Sequence, residues 1–259
     1  MMDDYIFVVD VTDDRGFYLI KALQKEGFRA YVMHGCIINE GKKVYIFSLA
    51  KELELSQLEE LEDNSVVFAR VGDNKIEHLL QQRNIRQYDF LEDNRFLIKN
   101  AYITAEGALA EIIQRTKASL RDMPILVLGY GRIARCLTKM LKSLCAKVTV
   151  ATKFEKEIAE AEITADKVIR LEDMHMHLSS FQVIVNTIPM IIIKGELIGL
   201  ISEDTFILDL ASKPGGVDFV EIKGRGLQAF HYLGVPGKVS PHTAAEYLKE
   251  SLMRSLKEI

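Results

Sequence analysis

The chain has 259 residues, 48% of them hydrophobic and 27% charged, with a formal net charge of −4, enough material for two compact cores. With no cationic surplus and no lysine-arginine block, a nucleic-acid footprint is excluded, and apolar runs of strand length are too short to span a bilayer. The acidic start Met1-Met2-Asp3-Asp4 lacks the basic flank of a secretory leader, and the three cysteines, Cys36, Cys136 and Cys145, form no C-x-x-C pair, so a cytoplasmic protein with free thiols is expected.

In chain order, Tyr5-Ile-Phe-Val-Val9 predicts a strand, Arg15 to Glu26 a helix and Ala30-Tyr-Val-Met33 a second strand. The runs Val44-Tyr-Ile-Phe47 and Val66-Val-Phe-Ala69 alternate with charged helical segments, the pattern of a mainly parallel sheet. After Val9 come Asp10, Val11, Thr12, Asp13 and Asp14. That acidic turn without glycine repels a phosphate, so the first half reads as a substrate or docking domain. From Thr104 to Arg121 the periodicity predicts a long helix leading into the second half, with Thr104 and Glu106 where the halves meet.

The second half opens on Ile125-Leu-Val-Leu-Gly129-Tyr130-Gly131-Arg132-Ile133-Ala134, a strand, a glycine turn and a helix start in succession. Gly129 permits the turn, Gly131 lets backbone approach a pyrophosphate, and Ala134 replaces the third glycine where helix meets strand. An amphipathic helix, Arg132 to Leu144, and the strand Lys147-Val-Thr-Val-Ala151 complete a βαβ unit. Gly129, Tyr130, Gly131, Arg132 and Ile133 are therefore the expected dinucleotide loop, with unpaired N–H groups and the positive end of the helix dipole toward the phosphates. An NAD enzyme usually ends the next strand with an acid. Thr152-Lys153 stands there instead; hydroxyl and ammonium suit the 2′-phosphate of NADP, with Arg132 in support. The alternative for Lys153 is a solvated lysine heading a charged helix.

Further strands are Val183-Ile-Val-Asn186, Phe206-Ile-Leu-Asp209 and Leu227-Gln-Ala-Phe230, and ligands of doubly wound sheets bind beyond such strand ends. Asn186-Thr187-Ile188-Pro189 is read as a cofactor-side segment, with a plain strand-ending turn as the alternative. In Asp209-Leu-Ala-Ser212-Lys213-Pro-Gly215-Gly216, the two glycines let N–H groups approach a ligand while Ser212 and Lys213 donate to a carboxylate; a solvated loop is the alternative for Lys213. Gly234-Val-Pro236-Gly237-Lys238 reads as a glycine-proline turn before a final helix from Thr243 to Lys257, which buries Ala244, Leu248, Leu252 and Leu256. Thr243 is a candidate cap for it. His242 is a candidate proton acceptor or carboxylate-binding cation, or a surface polar residue; Glu106 is a candidate base, or a first-turn acid complementing the helix dipole. His175 and His177, two apart, point in different directions on a helix, and no metal site is read.

Together with the glycine loop, four segments resemble the family of the dipicolinate synthase A subunit: Asn100-Ala-Tyr-Ile-Thr-Ala-Glu-Gly107, Asn186-Thr-Ile-Pro189, Leu208 to Phe219, and Gly234 to Ala244. The likeness runs from about Gln82 onward. The first half departs from it: the family's Gly-Gly before Asp-x-Arg is Val11-Thr12 here, its proline-rich segment is Arg70-Val-Gly-Asp73, and a lysine near the C-terminus is His242. The resemblance implies two Rossmann-like doubly wound parallel-sheet α/β domains, the second binding NAD(P): residues 1–103, joined by a C-terminal helix 243–259, and residues 104–242. It implies an NAD(P)-dependent oxidoreductase that converts a dihydrodipicolinate-type cyclic dicarboxylate, from the lysine and diaminopimelate pathway branch, to dipicolinate in sporulation. His242, Glu106 and Lys213 are then the catalytic candidates, and Thr104, Ser212, Lys213, Gly215, Gly216 and Lys238 face the substrate. A flavoprotein-like B subunit is the implied partner, and self-association is left open. The alternatives are another NADP-linked dehydrogenase, of shikimate or 2-hydroxyacid type, and a non-catalytic NADP-binding regulatory subunit.

Overall fold

The computed structural model describes residues 4–33, 41–49 and 51–257; Cys36 lies outside them. Two units make up the chain, residues 1–100 with 236–259 as unit 1 and residues 101–235 as unit 2.

Unit 1 is built on strands β1 (Tyr5–Val9), β2 (Arg29–Val32), β3 (Lys42–Ile46), β4 (Val66–Phe68) and β5 (Arg86–Tyr88), all parallel, in the order β2-β1-β3-β4-β5. Helices α1 (Asp14–Lys25), α2 (Leu55–Leu58) and α3 (Asn74–Gln82) connect them. The central strands are apolar throughout because both sheet faces are covered. On one face Phe7, Val44 and Phe68 meet Leu19 and Leu23 of α1; on the other Ile6, Tyr45 and Val67 meet Leu58, Ile76 and Leu80. Asp13 caps α1, accepting from Arg15 N at 2.9 Å. β5, Arg86-Gln-Tyr88, carries no apolar run because it is an edge strand.

A 23-residue helix, α4 (Asn94–Thr116), follows and contains the boundary between the units. It starts at Asn94 rather than Thr104, because Asp93 Oδ1 accepts from Arg95 N and Phe96 N and so satisfies two of the helix's unpaired donors. It ends at Thr116 rather than Arg121, where Lys117 turns left-handed at φ 50°. Glu106 is therefore exposed in mid-helix, away from the positive end of the dipole.

Unit 2 holds β6 (Pro124–Leu128), α5 (Arg132–Ser143), β7 (Lys147–Thr152), α6 (Glu155–Glu162), β8 (Lys167–Arg170), β9 (Val183–Asn186), α7 (Glu196–Gly199), β10 (Phe206–Asp209), α8 (Phe219–Gly224) and β11 (Gln228–His231). Its six-stranded parallel sheet runs β11-β10-β9-β6-β7-β8, the strand order of dinucleotide-binding sheets. One core lies between the sheet and α4 and α5, with Ala108, Ile112, Val127, Ala134 and Leu137 fully buried; the other face buries Leu126, Ile184, Ile207 and Ile222. Cys136 lies partly buried beside the first of these, where desolvation pushes its thiol pKa up against the pull of Lys139; Cys145 is exposed just past the end of α5.

The expected turn at Gly234–Lys238 is a short helix, α9 (Val235–Val239), which Pro236 enters without loss because first-turn N–H groups have no partner. The last helix, α10 (Pro241–Lys257), begins earlier than expected for the same reason. Ala244 N bonds Ser240 O at 2.9 Å, so Thr243 sits inside the first turn and is not the cap. Ala245, Leu248, Leu252 and Leu256 of α10 complete the core of unit 1. Among the described residues no helix is long and apolar enough to cross a membrane.

Asp93 ties α10 to the head of α4: Oδ2 accepts from Ser251 Oγ at 2.6 Å and from Arg254. Burial pushes its pKa up, but the Ser251 hydroxyl and the Arg254 guanidinium outweigh it and hold the value at about 2, against 3.8 for a free carboxyl. A folded-state pKa below the unfolded one stabilises the fold above 3.8, and the contribution drains away as pH falls toward 2. The melting-temperature gap between wild type and Asp93→Asn is therefore expected to be widest at neutral pH and to narrow across that window. A gap constant with pH in circular-dichroism melts contradicts this.

Candidate functional site

In unit 2 the carboxyl ends of β6, β9 and β10 bring three loops together. Gly129 leaves β6 with φ 86°, a left-handed backbone suited to glycine. Its N–H donates to Ala151 O at 2.8 Å, and a Cβ there would lie 2.8 Å from Thr187 Oγ1 and 2.9 Å from Ile188 Cγ1. Gly131 is different. It caps α5 at φ −73° and ψ −169° with no side-chain hydrogen bond to the first turn, and a Cβ on it meets nothing within 4 Å. The first-turn N–H groups of α5 thus open beside a cradle that any larger side chain would fill. Arg132 is exposed and Ile133 half-buried at its rim. Tyr130 is not: its ring is 2% exposed and its hydroxyl donates to Thr164 Oγ1 at 3.0 Å, so its side chain belongs to the core.

At the end of β7, Thr152 is 1% exposed and its hydroxyl donates to the Glu157 carboxylate of α6. That removes Thr152 from any set of free phosphate donors. Lys153 is exposed, with Nζ 5.0 Å from the Phe154 ring centroid. The acid absent from the strand end is thus supplied five residues along, by a helix turn that folds Glu157 back, and spacing alone does not reveal it.

The loop after β9 rests on a buried pair. Asn186 and Asp209 are partners in register on neighbouring strands, both 0% exposed. Asn186 Nδ2 donates to Asp209 Oδ1 at 2.8 Å and to Ile188 O at 3.0 Å, and Asn186 Oδ1 accepts from Ile188 N at 3.1 Å. Asp209 also accepts from Ala211 N at 3.1 Å and Gly216 N at 2.7 Å. Its charge is met by hydrogen-bond donors from both loops, the condition for burying a carboxylate. Asn186 accordingly presents no free amide; the groups at the surface beside it are Thr187, half-buried with Oγ1 donating to Leu128 O at 2.8 Å, and exposed Pro189.

Gly215 and Gly216 are buried, and the reason for glycine there is internal. A Cβ on Gly215 would lie 2.6 Å from Asp209 Oδ2, and one on Gly216 would collide with the Asn186 amide. Ser212 and Lys213 project from the same loop into solvent. Behind it His231 of β11 stacks on Phe219, centroids 5.5 Å apart, with Nε2 2.8 Å from Ala211 O. Sequence reasoning misses Asp209 and His231 as site residues; the available signal is a carboxylate and an amide ending two otherwise wholly apolar strands.

Thr104 is buried in the part of α4 that belongs to unit 2 and Glu106 is exposed there. Lys238 and His242 belong to unit 1, both exposed, the His242 ring edge-on to Tyr18 at 5.6 Å. Among the described residues no group of His, Cys, Asp and Glu is arranged to hold a metal ion.

No family model matches the chain. It is 28% identical over 222 residues to the dipicolinate synthase A subunit of Bacillus subtilis (strain 168), covering 85% of this chain and 74% of that protein. The crystal structure of the dipicolinate synthase A subunit from Bacillus halodurans superposes with a TM-score of 0.84 at 22% identity, over 98% of both chains. A transhydrogenase from Sinorhizobium meliloti shares the fold with a TM-score of 0.74 at 14% identity, over 98% of this chain and 93% of that one. The resemblance to the dipicolinate synthase A subunit read from the sequence holds, as does the pair of parallel-sheet α/β folds.

Proposed function

We propose that the chain is the A subunit of a dipicolinate synthase-type NADP-dependent oxidoreductase, acting on a dihydrodipicolinate-type cyclic dicarboxylate. The observation that carries the reading is the open side of Gly131 at the uncapped head of α5, at the switch point of a sheet with dinucleotide-binding strand order. The first-turn N–H groups of α5 hold the diphosphate there, Thr187 and Ile188 border it, and Lys153 with Arg132 meets the 2′-phosphate. A nicotinamide coenzyme so bound supplies hydride transfer. Ser212 and Lys213 orient a substrate carboxylate from a loop that the Asn186–Asp209 pair holds rigid, and Glu106, in the same unit, is the candidate acceptor of the ring proton. The likeness to one named subunit of a synthase supports a second subunit in the working enzyme.

A second reading of the coenzyme has its own support. The Glu157 carboxylate beside Thr152 suits ribose hydroxyls and opposes a 2′-phosphate, which favours NAD. Calorimetry with both coenzymes decides between them: on the NADP reading NADP binds more tightly, and Glu157→Gln increases that margin by roughly tenfold through lost like-charge repulsion. The reaction is tested by NADP-dependent appearance of dipicolinate ultraviolet absorbance, with and without the B-type partner. Uptake of neither coenzyme would overturn the whole reading.

A further inference from the structure

We propose that unit 1 carries a ligand site at the amino end of its sheet, suited to the phosphate monoester of a small polyol. A cavity of about 330 Å³ opens where β3, β4 and β5 begin, large enough for a small organic ligand. It lies at the end of the sheet opposite the acidic turn after β1, and every residue that lines it belongs to unit 1. The cradle at the head of α5 has no part in it.

Two buried polar groups stand in its wall. Lys43 is 9% exposed, and lysine is almost never so deep unless paired; its Nζ donates to the Glu62 carboxylate, which uses one of the three donors of an ammonium. Ser65 is 3% exposed, and its Oγ has no hydrogen-bond partner among the described residues, an unusual state for a buried hydroxyl. Val44, Val66 and Arg86 stand in register on β3, β4 and β5, so Lys43 and Ser65, each one residue earlier, are neighbours along the amino edge. A hydroxyl with nothing to bond therefore stands next to an ammonium with donors to spare.

The charges of the lining set the class of ligand. Both of its acids are already paired, Glu62 with Lys43 and Asp63 with Arg83 Nε at 2.6 Å. Lys42 and Arg86 have no ion-pair partner among the described residues; Lys42 Nζ lies 5.6 Å from the Tyr5 ring centroid, and Arg86 is exposed. Two cations left over match the dianion of a phosphate monoester, whose oxygens the arginine fork takes in pairs. Asn84 Nδ2 donates to Asn64 Oδ1 at 2.7 Å, which leaves an amide N–H on Asn64 and a carbonyl oxygen on Asn84 to meet hydroxyl groups. A bare phosphate fills only part of the space. With no aromatic or apolar side chain in the described lining, a nucleobase or an acyl chain finds nothing to pack on, whereas a short polyhydroxylated chain or ring does find partners. The site goes beyond the oxidoreductase reading and does not rest on it.

The test is calorimetry on the full chain with D-ribose 5-phosphate, and with D-ribose and inorganic phosphate as its two halves. Wild type is expected to bind the monoester roughly tenfold or more tightly than inorganic phosphate, through the added hydroxyl contacts, and to take up no ribose. Arg86→Gln, at an exposed position, is expected to weaken the monoester by roughly ten- to a hundredfold, the loss of a charged hydrogen bond. Ser65→Ala is more discriminating, because it removes a hydroxyl that bonds to nothing in the protein: its melting temperature is expected to stay level or rise while monoester affinity falls roughly tenfold. A hydroxyl of purely structural use would do the reverse. NADP uptake by both variants is expected at the wild-type level, and saturating NADP is expected to leave monoester binding unchanged. No monoester binding by wild type, inorganic phosphate bound as tightly, unchanged affinity in either variant, or displacement of the monoester by NADP overturns the site. Monoester uptake by a chain that takes up neither coenzyme supports the site and sinks the oxidoreductase reading instead.

Discussion

Replacing Asp209 with alanine is expected to cost unit 2 about 3–5 kcal/mol of folding free energy, because three buried donors lose their acceptor at once. Asn186 Nδ2, Ala211 N and Gly216 N all converge on that carboxylate, and none has water to turn to, since Asn186 and Asp209 are both 0% exposed. Asp209→Asn is the sharper probe. It preserves volume but aims an amide at donors, so it too is expected to destabilise, and to loosen the Ser212–Lys213 loop. Urea unfolding of the unit 2 transition measures both. A loss below about 1 kcal/mol for the alanine variant means that the loops find other partners, and the positioning role of Asp209 falls.

Gly131→Ala is expected to separate stability from binding. Its backbone, φ −73° and ψ −169°, is open to any residue, and the added Cβ meets no protein atom within 4 Å. Thermal stability should fall only slightly, by about 0.5 kcal/mol, because alanine is a poorer N-cap than glycine while it stiffens the unfolded chain. Coenzyme affinity should fall by roughly a hundredfold, as the methyl group displaces the diphosphate from the first-turn N–H groups. Gly129→Ala makes the contrast: at φ 86° and 2.8 Å from Thr187 Oγ1, it is expected to cost about 1–3 kcal/mol of stability as well. Unchanged coenzyme affinity in Gly131→Ala would show that nothing occupies the open side of that glycine, and the proposed cradle would have to be abandoned.

The two variants also mark how far the sequence could be read. The strands buried on both faces, β1, β6, β9 and β10, announce themselves as continuous apolar runs; β5 and β8 do not, because edge strands such as Arg86-Gln-Tyr88 and Lys167-Val-Ile-Arg170 need no apolar alternation. The glycine loop was legible because strand, turn and helix are contiguous. The start of α4 was not, since the eye follows apolar spacing and a single carboxylate, Asp93, sets where the helix begins. Least legible was everything that depends on lateral register. That Asn186 stands opposite Asp209, that Gly215 and Gly216 are pressed against them, and that Glu157 reaches Thr152 are facts of neighbouring elements, and a linear reading sees each residue alone.

The closing helix of unit 1 has a bearing on how the chain is born. Leu19, Leu23 and Phe96 are covered in part by Leu248, Leu252 and Leu256 of α10, which the ribosome delivers only after all of unit 2 has been made. Unit 2, contiguous in sequence, can mature as it emerges. Its neighbour must wait with an apolar flank bare, so a segment made before unit 2 is finished only after it, and during that interval it is the part most in need of a chaperone.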